Sequence, residues 1–561
     1  MSRRETWISA VTVFLVALVV RAVAAAVINF PIPEDTAYYA GVARNLVQGR
    51  GLVTDALWSY GTQPLVVPRA AFEIWMPLPS FLAAIPIAIG GASNWYRAAQ
   101  VFSVLTSSLV VVMAWRLAAD VAAEMHLPIG RARTMGIGTG LVAAIIWPLV
   151  IYGALPDSTA LFAALALGAC LLMTRIVGRE SNAEAEAVGD GDRDAAANGR
   201  RFDRRLPVLG LILGLTALTR SEAIWLALAW AAMAWFWTSG SRRHRIELIA
   251  VPAVVAAATF APWAVRNWLT FGTPLPGQTV ANALYVHPLD VFAYQDQPTL
   301  GRYLAQGPAV ILSTHLEGLA HNLLNVLMLP AFPLSLLGIV ALFWVGRRRA
   351  LRPVVLVSTF TFLVTSLVFP VATQSGTFLH AAGPAFVLLV VGGIVALDSF
   401  VATVGRWRHW TRPVAWLGPA FAIAALAPLC FVSVTTLGRQ ADDAKTRYEV
   451  LPAALARAGV PLDGAHPVIT DNPIWLAETT GIPTLSLPDE SPEAVLTLAN
   501  RFDARLLIVR GGTERAWPDI LLGGGSAAKC FQEVDLTDNS GKKPVGGTPL
   551  FEIRVFRIAC P

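Results

Sequence analysis

Two acids stand side by side at Glu34 and Asp35, four residues past the end of the first long apolar run of this 561-residue chain. A carboxylate at the edge of a membrane is costly unless it has a partner or a task. Other ionisable residues sit at comparable places. Glu73 opens a short apolar segment, and Asp157 follows Pro156 between two apolar runs. Arg220 and Glu222 occupy another such turn, Arg266 and Asn267 follow Pro262 and Trp263, and His380 lies in the turn 374–380. The mixture has a chemical meaning. Arg220, Arg266 and His380 could hold a phosphate, arginine being suited to bidentate contact. Asp35 could take a proton from a hydroxyl as general base. A phosphate site, a carboxylate base and a membrane edge together suggest a lipid-phosphate donor attacked by a hydroxyl.

The elements that must bring these residues together are membrane spans. The chain is 55% hydrophobic and 14% charged, against roughly 25% charged in soluble chains. Runs of about 20 apolar residues fall at 7–29, 97–118, 134–153, 157–177, 205–219, 221–239, 246–266, 319–345, 353–371, 379–402 and 413–436. The run 72–91 holds Pro77, Pro79 and Pro86 and reads as a juxtamembrane or re-entrant segment. Arginine-rich loops set the orientation. Arg3 and Arg4, Arg131 and Arg133, the stretch 175–205, Arg242 to Arg245, Arg347 to Arg352, and Arg406 to Arg412 all fall inside if 72–91 does not cross. Eleven spans then remain, and the acids and bases named above gather on the outer side. The net charge of +6 resides in these loops and is no sign of nucleic-acid binding. The first run is too long for a cleavable signal peptide.

The predicted architecture is a helical polytopic membrane domain over 1–438, with outer loops 30–96 and 269–317, followed by a small outer α/β domain over 439–561. In the latter, strand-like 466–471, 483–487 and 505–509 alternate with helix-like 473–480 and 491–502. Residues 180–199, rich in Ala, Glu, Asp and Gly, read as a disordered cytoplasmic loop. Cys170 and Cys430 lie in apolar runs and are expected to be inert. Cys530 and Cys560 could form a disulfide if their region is outside the cytoplasm, two unpaired thiols being the alternative.

The stretch Glu34 to Gly51, an acidic pair followed by Tyr38, Tyr39, Ala43, Gly49 and Gly51, resembles the first outer loop of GT-C fold glycosyltransferases that use polyprenyl-phosphate sugars. These include the protein O-mannosyltransferases, the lipid A aminoarabinose transferase and the RgtA/B/C/D-like bacterial enzymes. The resemblance extends through Phe72-Glu73, Met76-Pro77-Leu78, Pro156-Asp157, Thr219-Arg220, Pro262-Trp263, Arg266-Asn267 and Phe271-Gly272. It departs at Trp75, where some members carry lysine, and at Thr377 and His380, where relatives often show Arg-Tyr. It implies a GT-C fold in a bacterial plasma membrane and an inverting transfer of one sugar, mannose or another hexose. The donor would be a polyprenyl-phosphate carrier, and the acceptor an outer-face hydroxyl of a protein, lipid or glycan. The catalytic carboxylate falls on Asp35, with Glu34 as the fallback. Donor phosphate falls to Arg220, Arg266 and His380, with Glu73, Asp157, Tyr38, Tyr39 and Glu222 as supporting residues. Asp35 and Asp157 could share a divalent metal cation, as in some relatives; no bound metal is the equal alternative. A transporter or lipid flippase would instead place its charges near the bilayer midplane on repeated halves, and no internal repeat is evident. A scaffold that has lost catalysis is the third reading.

Overall fold

The structure, a computed structural model, describes residues 3–189, 203–238, 240–275, 278–410, 414–511, 526–537, 543–544, 546 and 548–560. Each of the eleven predicted spans is helical. The helices that position the site are α1 (Arg3–Val27), α2 (Glu34–Val47), α3 (Leu78–Gly90), α4 (Trp95–Glu124), α5 (Ile129–Ile145), α6 (Trp147–Ala154) and α7 (Ser158–Gly189). Among the described residues six helices are long and apolar enough to cross a membrane alone, and two bent pairs would each make one more. Arg205–Ala217, Ala223–Phe236 and Arg352–Leu367 have 13, 14 and 16 residues. At 1.5 Å per residue they reach only roughly 20–24 Å, short of the hydrocarbon thickness. By length and composition alone six to eight of the described helices reach span length, and these three runs fall below it because the polar turns shorten their ends. The run 72–91 becomes α3, only 13 residues long. Helix α7 continues to Gly189, and the rest of the stretch read as disordered lies outside the described residues.

The membrane helices pack on one apolar core that includes Val111, Trp115, Phe162, Met173, Leu226, Phe378 and Phe386. One buried charge has a structural reason. Between α5 and α6 the chain bends by 58°, with Pro148 in the first turn of α6, and the last carbonyls of α5 lose their helical partners. Arg21, fully buried in α1, donates to the Ala144 and Ala143 carbonyls at 3.0 and 3.4 Å, and to Ser107 Oγ at 2.6 Å.

Among the described residues β1 (Val53–Thr54) and β3 (Arg69–Ala70) pair with each other, and the soluble part is a six-stranded sheet in the order β2 (Ala56–Leu57), β5 (Thr484–Ser486), β4 (Val468–Thr470), β6 (Leu506–Arg510), β8 (Ile553–Ile558), β7 (Phe531–Val534). Strands β4 (Val468–Thr470), β5 (Thr484–Ser486) and β6 (Leu506–Arg510) are the three that the sequence predicts, and the helices Pro473–Thr480 and Pro492–Phe502 lie between them. Strands β7 (Phe531–Val534) and β8 (Ile553–Ile558) complete the antiparallel side, and Cys530 and Cys560 at their ends form a disulfide. Cys170 and Cys430 are free and buried. Two elements tie this part to the membrane helices. Strand β2 (Ala56–Leu57) comes from the first outer loop and pairs parallel with β5. The helix Leu417–Arg457 runs unbroken through position 438, where the membrane domain was expected to end. The loop 269–317 is pinned as well: Glu490 accepts from the backbone N–H groups of Tyr294, Gln295 and Asp296 at 2.7, 2.9 and 3.1 Å.

Candidate active site

Helix α2 begins after Pro33, so Glu34 and Asp35 occupy its first turn, where the helix dipole favours negative charge. Successive helical residues point about 100° apart, and the two acids diverge accordingly. Glu34 Oε1 accepts from the backbone N–H groups of Ile474 and Trp475 at 2.9 and 3.4 Å, in the first turn of Pro473–Thr480. Asp35 points the other way. Its Oδ2 lies 4.0 Å from His380 Nε2.

Three more segments meet Asp35. Asp157 caps α7 in the manner of an N-cap: its Oδ1 accepts from the Thr159 backbone N–H at 2.8 Å. Its Oδ2 is buried without a hydrogen-bond partner among the described residues and lies 4.0 Å from His380 Nδ1. His380 is therefore lodged between two carboxylates. It is fixed by a 2.8 Å hydrogen bond between Nδ1 and Thr159 Oγ1, and its ring stands edge-on to Tyr152 at 5.0 Å. Arg220 grips Glu222 with Nε and Nη2 at 3.2 and 2.6 Å, reaches Ser158 Oγ with Nη1 at 2.9 Å, and touches the Thr377 carbonyl at 3.5 Å. One guanidinium thus ties the turn 218–222 to the start of α7 and to the segment around Thr377. Tyr39 follows one turn beyond Asp35 and is buried.

The electrostatics separate the two acids. Burial raises Asp157 to about 7, and the charge of Asp35 pushes the same way. Burial also raises Asp35, while Arg220 and the Trp75 indole pull it back. Asp35 keeps 30% of its side chain exposed against 1% for Asp157, so solvent screens much of its penalty and leaves it the more readily ionised and the more accessible. Burial and the nearby Arg220 charge lower His380 to about 3, which keeps its imidazole neutral.

The remaining predicted residues lie elsewhere. Glu73 is buried in an ion pair with Arg69, and burial lifts it to about 8 despite that partner. Arg266 stacks on Trp263 and Phe271 at 4.8 and 5.2 Å and donates to Asn267 at 3.0 Å. Among the described residues neither forms an ion pair with Asp35, Asp157, Arg220 or His380. Tyr38 belongs to the same aromatic layer, tilted against Trp75 with ring centroids 4.2 Å apart and accepting from the Phe72 backbone N–H at 2.6 Å. Sequence reasoning passed over Ser158 and Thr159. Their signal was the run Pro156 to Thr159 in front of an apolar helix, which is an N-cap pattern.

A divalent cation fits this cluster only in part. Hard cations take six or more oxygens, and no group of three or more His, Cys, Asp or Glu is placed to share an ion among the described residues. Asp35 and the unpartnered oxygen of Asp157 would be its protein ligands.

Solved structures share this fold. Over 99% of its length the chain matches 99% of ArnT from Cupriavidus metallidurans bound to undecaprenyl phosphate, with a TM-score of 0.54. The chain has the GT-C fold. At 13% identity the likeness reaches no further than that fold. A second GT-C structure, the oligosaccharyltransferase AglB from Archaeoglobus fulgidus in complex with an inhibitory peptide and a dolichol-phosphate, matches 96% of this chain over 74% of its own, with TM-score 0.55 and 11% identity. No protein-family model and no curated sequence matches the chain.

Proposed function

We propose that this protein is an integral-membrane glycosyltransferase that moves one sugar, a hexose such as mannose, from a polyprenyl-phosphate carrier to a hydroxyl of a protein, lipid or glycan. The site and the C-terminal domain face outward from a bacterial plasma membrane. The observation that carries this reading is a solvent-reaching carboxylate, Asp35, set beside a guanidinium, Arg220, at the rim of a membrane bundle. Both GT-C structures named above hold a polyprenyl phosphate, which supports a donor of that class here.

In this reading Asp35 accepts the proton of the acceptor hydroxyl as its oxygen attacks the anomeric carbon. The bond from that carbon to the phosphate oxygen breaks, and configuration inverts because the displacement is single. Negative charge then grows on the departing lipid phosphate, and Arg220, already oriented by Glu222 and Ser158, meets it there. His380, neutral at its lowered value, and Asp157, raised to about 7, line the surroundings of Asp35. A divalent cation, when bound, would sit on Asp35 and Asp157 and add positive charge near the phosphate.

The test is transfer from a polyprenyl-phosphate sugar by the purified protein. Asp35→Asn keeps the shape and removes the base, so turnover drops by ~10² or more while the protein still inserts. Near-normal turnover in Asp35→Asn refutes the assignment.

A further inference from the structure

The acidic pair leaves one member without a part in this chemistry, and the way it is used points to a task for the C-terminal domain. Helix α2 has two working faces. Asp35 and Tyr39 face the site. Glu34, Ala37, Gly41 and Arg44, spaced at helical intervals of three and four, face the helix Pro473–Thr480. Contact along that second face is continuous. Glu34 caps the helix start at Ile474 and Trp475. Ala37 shares an apolar cluster with Ile474 and Ala477. Arg44 Nη2 meets Glu478 Oε2 at 2.9 Å, with side chains only 15% and 4% exposed. Gly41 admits the Glu478 carboxylate so closely that a Cβ there would fall 2.3 Å from its Cδ. Just ahead of α2, the Trp475 indole donates to the Pro31 carbonyl at 2.7 Å.

We propose that the helix Pro473–Thr480 is the mount of α2, and that Glu478, seated over Gly41 and held by Arg44, sets the rotation of α2 that aims Asp35 into the site. The proposal rests on Asp35 as the base. Glu34 and Glu478 are positioning residues, and the outer domain acts on the reaction through them. The leverage is geometric. A side-chain group about 5–6 Å from a helix axis moves by about 2 Å when the helix turns by 20°, and a misplacement of about 1 Å can cost 10²-fold in rate. Burial raises the Glu478 carboxyl to about 7, against the pull of Arg44. The group seated over Gly41 is thus a carboxyl only partly charged near neutral pH, and its shape fills the place that a Cβ at Gly41 would take.

The experiment uses full-length protein in nanodiscs, with steady-state transfer from a polyprenyl-phosphate sugar and hydrogen exchange of residues 34–47 in the resting protein. Glu478→Ala lowers kcat by ~10-fold or more, leaves KM for the donor near its starting value, and speeds exchange across 34–47 but not across α4. Glu478→Gln, which keeps the shape of the group seated over Gly41, restores most of kcat. Gly41→Ala, whose methyl group displaces the carboxylate, reproduces the loss and serves alone if Glu478→Ala does not fold. The double variant Gly41→Ala with Glu478→Ala is no worse than Glu478→Ala, because the methyl group then has room. Unchanged kcat and exchange in Glu478→Ala and Gly41→Ala overturn the proposal, as does a rise in KM alone, which would make this helix a binding surface. Asp35→Asn is run beside them to keep the two readings apart. If Asp35→Asn is inactive and the Glu478 variants are normal, the mount fails and the base stands. If Asp35→Asn is active while α2 loosens in Glu478→Ala, the base fails and the mount stands.

Discussion

Arg220 invites an obvious substitution that would mislead if made alone. Its guanidinium spans both oxygens of Glu222, Ser158 Oγ and the Thr377 carbonyl, and Glu222 is only 6% exposed. Arg220→Ala therefore does two things. It removes the charge proposed to meet the leaving phosphate, and it strands a buried carboxylate, which costs about 3–5 kcal/mol of stability. Removing both partners separates these effects. In Arg220→Ala with Glu222→Ala the stranded charge is gone, and thermal stability recovers most of what Arg220→Ala lost. Activity does not recover, because the loss of a preorganised donor to a developing anion costs ~10²–10³ in kcat. Arg220→Lys should fall between, since an ammonium supplies charge but cannot fork across Glu222 while also holding Ser158. The assay pairs thermal unfolding in detergent with transfer from a polyprenyl-phosphate sugar. Recovery of both stability and turnover in the double variant would refute the reasoning, for Arg220 would then be only the partner that Glu222 requires.

Two further outcomes are expected. Glu478 carries a carboxyl raised from 4.5 to about 7; the folded chain thus holds a proton that the unfolded chain releases, and stability falls as pH rises from about 4.5 through about 7. At 1.36 kcal/mol per unit this is up to roughly 3 kcal/mol, so the melting temperature of Glu478→Gln should match wild type near pH 4, exceed it increasingly up to about pH 7, and stay parallel above; a constant difference would show that the carboxyl is not shifted. For orientation, a cysteine at exposed Asp463 should react with a membrane-impermeant maleimide in intact cells and one at exposed Arg348 only after lysis, over a low background because the native cysteines are buried or bonded; the reverse pattern would invert the topology.

Much of the scaffold was legible because its signals are local. Long apolar runs announce helices, and the alternation around 468–470, 484–486 and 506–510 announced three strands correctly. Strand β2 was not legible: it is two residues long, and its reason for being a strand, β5, lies more than 400 residues away. The membrane reading also grouped residues by height alone. Asp35, Asp157, Arg220 and His380 share a level at helix ends and do meet. Glu73 and Arg266 share that level too, yet the structure seats one on Arg69 and the other on Trp263 and Phe271. Hydropathy fixes depth in a bilayer but says nothing about lateral position, which packing decides. The division of labour within the acidic pair was equally hidden, since Glu34 and Asp35 differ by one methylene in sequence and by which neighbour they face in space.

The hydrogen bond from Ile474 to Glu34 closes a gap of 440 residues. A ribosome adding about 5–20 residues each second takes roughly 20–90 s to cross that interval. During this time the acid-bearing helix already stands at the membrane surface with its companion helix unmade, and β2 waits for β5 in the same way. An interrupted chain, however well inserted, stops short of the pieces that orient its carboxylate. On the proposed function, completion of synthesis becomes a condition for activity, and a membrane carrying half-made copies is spared their unsupervised chemistry.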